Sequence, residues 1–169
     1  MKVSQLVPVT NISIGWPAAK IPLIKSARVD NKWELIRGAV TFLCEQAEIP
    51  DDVCEVAIQL VSDREKSMTT AIGHGIAIPH ASIANIKKPI AVCVILAEGI
   101  EFEAIDYEPV QIVILALLPE KDYKKHILTL SGIVDLTSHP EIKEKLLQAK
   151  TPENAWQEIC NLEKTLVSV

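Results

Sequence analysis

The sequence predicts an α/β protein: a three-layer α/β/α sandwich with a mixed, mainly parallel central sheet of about five strands. Three observations predict it. Residues 89–96, PIAVCVIL, and 110–118, VQIVILALL, are almost unbroken apolar runs rich in Val and Ile, the pattern of central strands covered on both faces. Helical periodicity flanks this strand-rich middle on both sides, so helices are available for both outer layers. The chain has 169 residues with no repeat and no internal linker, the size of one compact domain able to bury a large core without disulfide staples.

The elements follow in order. Residues 1–29 read as an irregular lead with three prolines and one candidate edge strand, IPLI at 21–24, so the domain proper is placed at 30–169. From Asn31 a helix is expected with Trp33, Ile36, Val40, Leu43 and Ala47 on one face. Pro50 and Asp51 end it and open a second helix with Val53, Val56, Ala57 and Leu60 as its stripe. One further turn along that stripe lands on Arg64, a guanidinium that would need an anion or an acceptor on a buried face. IAI at 76–78 is a short strand ahead of the two long ones. After Pro119 the helical pattern returns through Tyr123, Ile127, Leu130 and Val134. SHPE at 138–141 and TPEN at 151–154 each carry a helix start signal, a hydroxyl cap followed by an early proline.

Composition narrows the function classes. Hydrophobic residues are 49% and charged residues 23%, ordinary for a folded domain, and the net charge of -5 is spread along the chain. A nucleic-acid partner is disfavoured because phosphate backbones require a concentrated basic surface. The first twenty residues lack a sustained apolar core, and no uncharged run approaches a membrane span, so the expectation is a cytoplasmic protein without a membrane span. Cys44, Cys54, Cys93 and Cys160 form no C-x-x-C pair, and all four read as buried free thiols.

The four histidines are not equivalent. His139 sits at a helix start and reads as a solvated capping-region residue. His126 falls early in the helix after the strongest strand, near the end where open α/β sheets place their sites. His74 lies between Gly73 and Gly75 on a turn. His80 follows a strand and Pro79, which fixes its own φ and keeps Ile78 extended, so its ring is carried on a stiff element as a nucleophile or ligand requires. No Cys or carboxylate stands at ligand spacing around His74 and His80, so no metal is assigned. Neither a G-x-S-x-G elbow nor a phosphate-binding glycine loop is present, and no cofactor is implied.

The stretch DREKSMTTAIGHGIAIPHA, residues 63–81, resembles the active-site segment of the type-2 (fructose/mannitol) enzyme IIA domains of the phosphoenolpyruvate-dependent phosphotransferase system (PTS), most like the nitrogen-regulatory branch. FEAIDYEPVQIVILALLP and the segment opening at His126 are similar to that family's central strand and C-terminal helices, so the resemblance spans about residues 30–161. It implies a phosphocarrier in which His80 takes a phosphoryl group on its tele nitrogen, with His126 and Arg64 as active-site partners and Thr70, Arg64 and His74 as candidate phosphate-binding groups. The implied donor is phospho-HPr. The implied acceptor is a separate IIB chain, as in sugar uptake, or a regulatory target protein, as for a stand-alone nitrogen-type IIA. A binding regulator with vestigial transfer stays open, as does a homodimer. The chain departs from the family pattern at His74, where Asn is common, and at Ala71 and Met68, where Gly is.

Overall fold

The structure is a computed structural model that describes residues 9–13, 20–27, 29–84, 86–151, 154–155, 157–159 and 161. In chain order it contains β1 (Val9–Ser13), β2 (Lys20–Ala27), α1 (Lys32–Gln46), α2 (Asp51–Ser67), β3 (Ala71–Gly73), β4 (Ile76–Ala77), β5 (His80–Ile83), β6 (Ile90–Ile100), β7 (Val110–Pro119), α3 (Tyr123–Thr137) and α4 (Pro140–Gln148). Helical residues 154–155 and 157–159 follow, in the segment where TPEN signals a start. Thr151 supplies that start, its Oγ1 accepting from the Asn154 N–H at 3.2 Å.

The strands form one sheet in the order β1-β2-β6-β7-β4-β3, with β5 also paired to β7. Pairings β2–β6, β4–β7 and β5–β7 are parallel, whereas β1–β2, β6–β7 and β3–β4 are antiparallel. The sheet is therefore evenly mixed rather than mainly parallel. The expected strand at 76–78 is part of a longer run interrupted at Pro79, since β4 and β5 both pair with β7, with Ile76 opposite Ile112 and His80 opposite Ala116. The lead is not irregular throughout: β2 lies inside the sheet between β1 and β6, and IPLI belongs to it.

From Ile112 to Leu118, β7 is unbroken apolar because it faces two cores. Val113, Leu115 and Leu117 pack with α1 and α2, while Ile112, Ile114, Ala116 and Leu118 pack with α3 and α4. Period-two alternation along a strand covered on both sides leaves no solvent face for a polar residue.

The helices are bounded as their sequences require. Asn31 caps α1 by accepting from the N–H groups of Trp33 and Glu34, each at 3.0 Å. α2 opens with Asp51 and Asp52 and closes with Arg64 and Lys66, charges that complement the helix dipole. Its buried face differs from the expected one: Cys54, Ala57, Ile58, Val61 and Glu65 are inside, whereas Val56 and Leu60 are exposed. Arg64 is consequently not on the buried stripe. α3 also buries a different face from the expected one, with Ile133 and Leu136 inside and Ile127 and Val134 outside. Cys44, Cys54 and Cys93 are buried free thiols, and burial pushes Cys93 up to about 12; Cys160 lies outside the described residues. No helix among the described residues is long and apolar enough to cross a membrane.

Candidate functional site

The alternation of β5 decides which side chains meet. Ala81 and Ile83 enter the core beneath α1 and α2, so His80 and Ser82 emerge from the other face of the strand. α3 begins just beyond the end of β7, and His126 lies in its first turn, its N–H donating to the Asp122 carbonyl at 3.0 Å. The two imidazoles meet edge to face, with ring centroids 6.1 Å apart and planes at 85°. Ser82 Oγ lies 3.1 Å from His126 Nδ1.

The His80 ring is oriented by its own backbone neighbourhood. Nδ1 is 2.8 Å from the Ile78 carbonyl oxygen, an acceptor only, so Nδ1 carries the proton and donates. Nε2 then holds the free lone pair. The pKa of His80 lies below the ordinary value of 6.5, chiefly because burial disfavours the imidazolium, with Arg64 and His126 pushing the same way against the hydrogen bond to Ile78. A neutral imidazole with a fixed tautomer, beside a guanidinium and a second imidazole, can act as a nucleophile toward an electrophilic centre that brings negative charge.

Arg64, half-buried at the end of α2, donates from Nη1 to the Met68 carbonyl at 2.9 Å. One guanidinium edge thus closes the helix C-terminus, which leaves further N–H donors on a five-donor group. Thr70, a candidate phosphate-binding group, is buried, and both its N–H and its hydroxyl donate to Glu65 Oε2, at 2.9 and 2.6 Å. Its role is to hold the chain between α2 and β3.

His74 stands apart from the histidine pair. It occupies the tip of the β3–β4 hairpin with φ of 54°, between Gly73 and Gly75, and its N–H donates to Asp106 Oδ2 at 2.6 Å. That bond holds the Asp106 carboxyl below the usual range. Along β7, the levels of Ile76 and His80 are separated by four residues, roughly 13 Å at strand rise, and His74 lies beyond Ile76. Instead it lines a separate cavity of about 510 Å³ with Glu108, His139, Lys143 and Glu144. His139 is the N-cap residue of α4, and Ser138, expected as the cap, donates to the Asp135 carbonyl instead.

Three contributors were not singled out from the sequence: Ser82, Glu65 and Lys32. Ser82 had a signal, because two residues along a strand from His80 must share its face. Glu65 had one too, at the end of the 54, 57, 58, 61 stripe. Among the described residues no cluster of His, Cys, Asp and Glu could hold a metal ion.

Comparison with known proteins places the chain. The family described as the phosphoenolpyruvate-dependent sugar phosphotransferase system, EIIA 2, matches residues 21–161. The fructose-specific EIIA component of Haloferax volcanii is 33% identical over 118 residues, 69% of this chain and 77% of that one. A nitrogen regulatory protein of Escherichia coli is 34% identical over 112 residues, 66% of this chain and 69% of the relative. The crystal structure of the nitrogen regulatory protein IIA-Ntr of Neisseria meningitidis superimposes with a TM-score of 0.73 at 25% identity, covering 81% of this chain and 91% of that one.

Proposed function

The chain belongs to the EIIA 2 family of the phosphoenolpyruvate-dependent sugar phosphotransferase system, and from that premise we propose that it is a phosphocarrier that accepts a phosphoryl group from phospho-HPr on His80 and acts as a regulatory, nitrogen-type IIA. The observation that carries this reading is the His80 tautomer. Nδ1 is committed to the Ile78 carbonyl, so Nε2 is the attacking atom. In the transfer, the Nε2 lone pair forms the new N–P bond as the donor's phosphohistidine N–P bond breaks, and the electron pair leaves with the donor imidazole. Nε2 carries no proton beforehand, so none has to be removed from it. In-line displacement of this kind depends on positioning and on compensating charge at the equatorial oxygens, the part this reading gives to Arg64 and His126.

The test is incubation with phosphoenolpyruvate, enzyme I and HPr, followed by intact mass. One acid-labile phosphate on the wild-type chain is expected, and its absence under conditions that label a known IIA would refute the reading. Arg64→Ala is expected to slow labelling on the order of 10²-fold, as loss of one charge-stabilising donor does, while thermal unfolding moves little. An equal loss of transfer and stability would return Arg64 to a helix-closing role. The similarity to a fructose-specific EIIA supports a second reading, transfer onward to a separate IIB chain. Addition of IIB proteins to the labelled chain separates the two: rapid discharge supports uptake, and retention of label supports regulation.

A further inference from the structure

We propose that the cavity between the tip of the β3–β4 hairpin and the start of α4 is a binding site for a small zwitterion, a molecule with the ammonium and carboxylate of a free α-amino acid. It is a second site, separate from His80 and His126, and it stands whether or not the chain carries phosphate.

The cavity holds about 510 Å³, within the ~300–1,000 Å³ of small-ligand sites. It opens between the hairpin tip, Glu108 and the corner that joins α3 to α4, with Ile76 and Leu147 as apolar wall. His74, His139 and Lys143 offer it hydrogen-bond donors, and Glu108 and Glu144 offer it acceptors. Among the described residues, none of these five side chains makes a hydrogen bond or an ion pair, with one another or with a neighbour. Groups of both signs that line one space without meeting are separate anchors rather than a closed network.

Lys143 shows which charge the ligand must bring. It is half-buried and lies along the hairpin: a methyl group placed on Gly75 would stand 2.5 Å from Lys143 Nζ and 3.1 Å from the Pro109 carbonyl oxygen. Glycine at position 75, with φ of 73°, leaves the space the lysine uses. Withdrawing an ammonium from water costs free energy unless an anion meets it, and no described carboxylate does. A ligand carboxylate answers that charge. An anion alone would face Glu108 and Glu144 across the same cavity, and a cation alone would leave Lys143 unanswered. A molecule carrying both charges satisfies both sets, its carboxylate on Lys143 and the imidazole N–H groups and its ammonium toward the glutamates.

The test is a ¹H–¹⁵N titration of the full chain with the standard α-amino acids, one at a time, then with the N-acetyl and amide derivatives of any that binds. Saturable shifts are expected with at least one amino acid, centred on the amides of residues 74–76, 108 and 139–147. Each derivative lacks one of the two charges, and neither is expected to bind. Lys143→Met, and Glu108→Gln combined with Glu144→Gln, are each expected to weaken binding about 10–100-fold, as loss of a charge-assisted hydrogen bond does, at a nearly unchanged thermal midpoint. Absence of saturable shifts with every amino acid would overturn the proposal. So would equal binding of the N-acetyl or the amide form, which marks an ordinary cation or anion site, and so would binding to Lys143→Met as tight as to the wild type.

Discussion

Replacing His80 with alanine is expected to abolish acid-labile labelling of the chain, whereas replacing His74 with alanine leaves one phosphate per molecule. The asymmetry rests on which nitrogen is free and where each ring stands. His80 is fixed through Nδ1 to the Ile78 carbonyl, which leaves Nε2 unprotonated, and it lies beside His126 and within the field of Arg64. His74 is on a hairpin tip beyond the start of β4, tied through its backbone to Asp106. The protonation state adds a check. Burial lowers the His80 pKa, so its proton is lost at lower pH than from an ordinary histidine, and the nucleophilic form persists further into the acid range. An NMR titration of His80 in the unphosphorylated chain should have its midpoint below 6.5. A midpoint at or above that value would mean the ring is solvated rather than desolvated. A second phosphate surviving in His80→Ala, or loss of label in His74→Ala with the fold intact, would move the acceptor elsewhere.

The central strands and the two histidines of the pair were legible because local pattern and long-range structure agree there. An unbroken run of Val, Ile and Leu in β7 has one inexpensive solution, burial on both faces. A histidine just after I-A-I-P is held by the strand and the proline before it, whatever the rest of the fold does. The helical stripes were less legible. In α2, Val56 and Leu60 suggest a buried face that would include Arg64, yet both are exposed and Glu65 is buried instead. An apolar residue can sit in solvent at small cost, but a buried carboxylate needs partners, and Lys32 and Thr70 come from elsewhere in the chain, invisible to a periodicity count. Likewise, Thr70 looked like a free donor near the site, and only the three-dimensional arrangement shows that Glu65 takes both its hydrogens. β2 was read as part of an irregular lead because pairing with β6 joins positions about seventy residues apart.

Glu65→Ala is expected to destabilise the fold by about 3–5 kcal/mol, the usual consequence of removing one partner of a buried ion pair. The Glu65 side chain has no solvent exposure, and that of Lys32 has 7%. Lys32 Nζ donates to Glu65 Oε1 at 3.1 Å and to Glu103 Oε2 at 2.7 Å. Burial alone would lower the Lys32 pKa, but the hydrogen bonds to Glu103 and Glu65 outweigh it and raise it, so the ammonium remains charged and would be left with one exposed partner in the variant. Replacing the pair together, as Lys32→Met with Glu65→Leu, removes the stranded charge and should recover part of the loss. Recovery is incomplete because Glu65 has a second duty. Its Oε2 accepts the N–H and hydroxyl of Thr70, and two donors left without an acceptor in a buried loop keep a penalty of about 1–3 kcal/mol each. The same bonds connect to the nucleophile: the Thr70 carbonyl accepts from the Ile78 N–H at 3.0 Å, and the Ile78 carbonyl accepts from His80 Nδ1. A continuous chain of hydrogen bonds therefore runs from Lys32 through Glu65, Thr70 and Ile78 to the ring whose tautomer the transfer needs. Urea unfolding of Lys32→Met, Glu65→Leu and the double variant measures the coupling. A double variant as stable as the wild type would show that Thr70 finds another acceptor, and the strand end that orients His80 would then owe nothing to the buried pair.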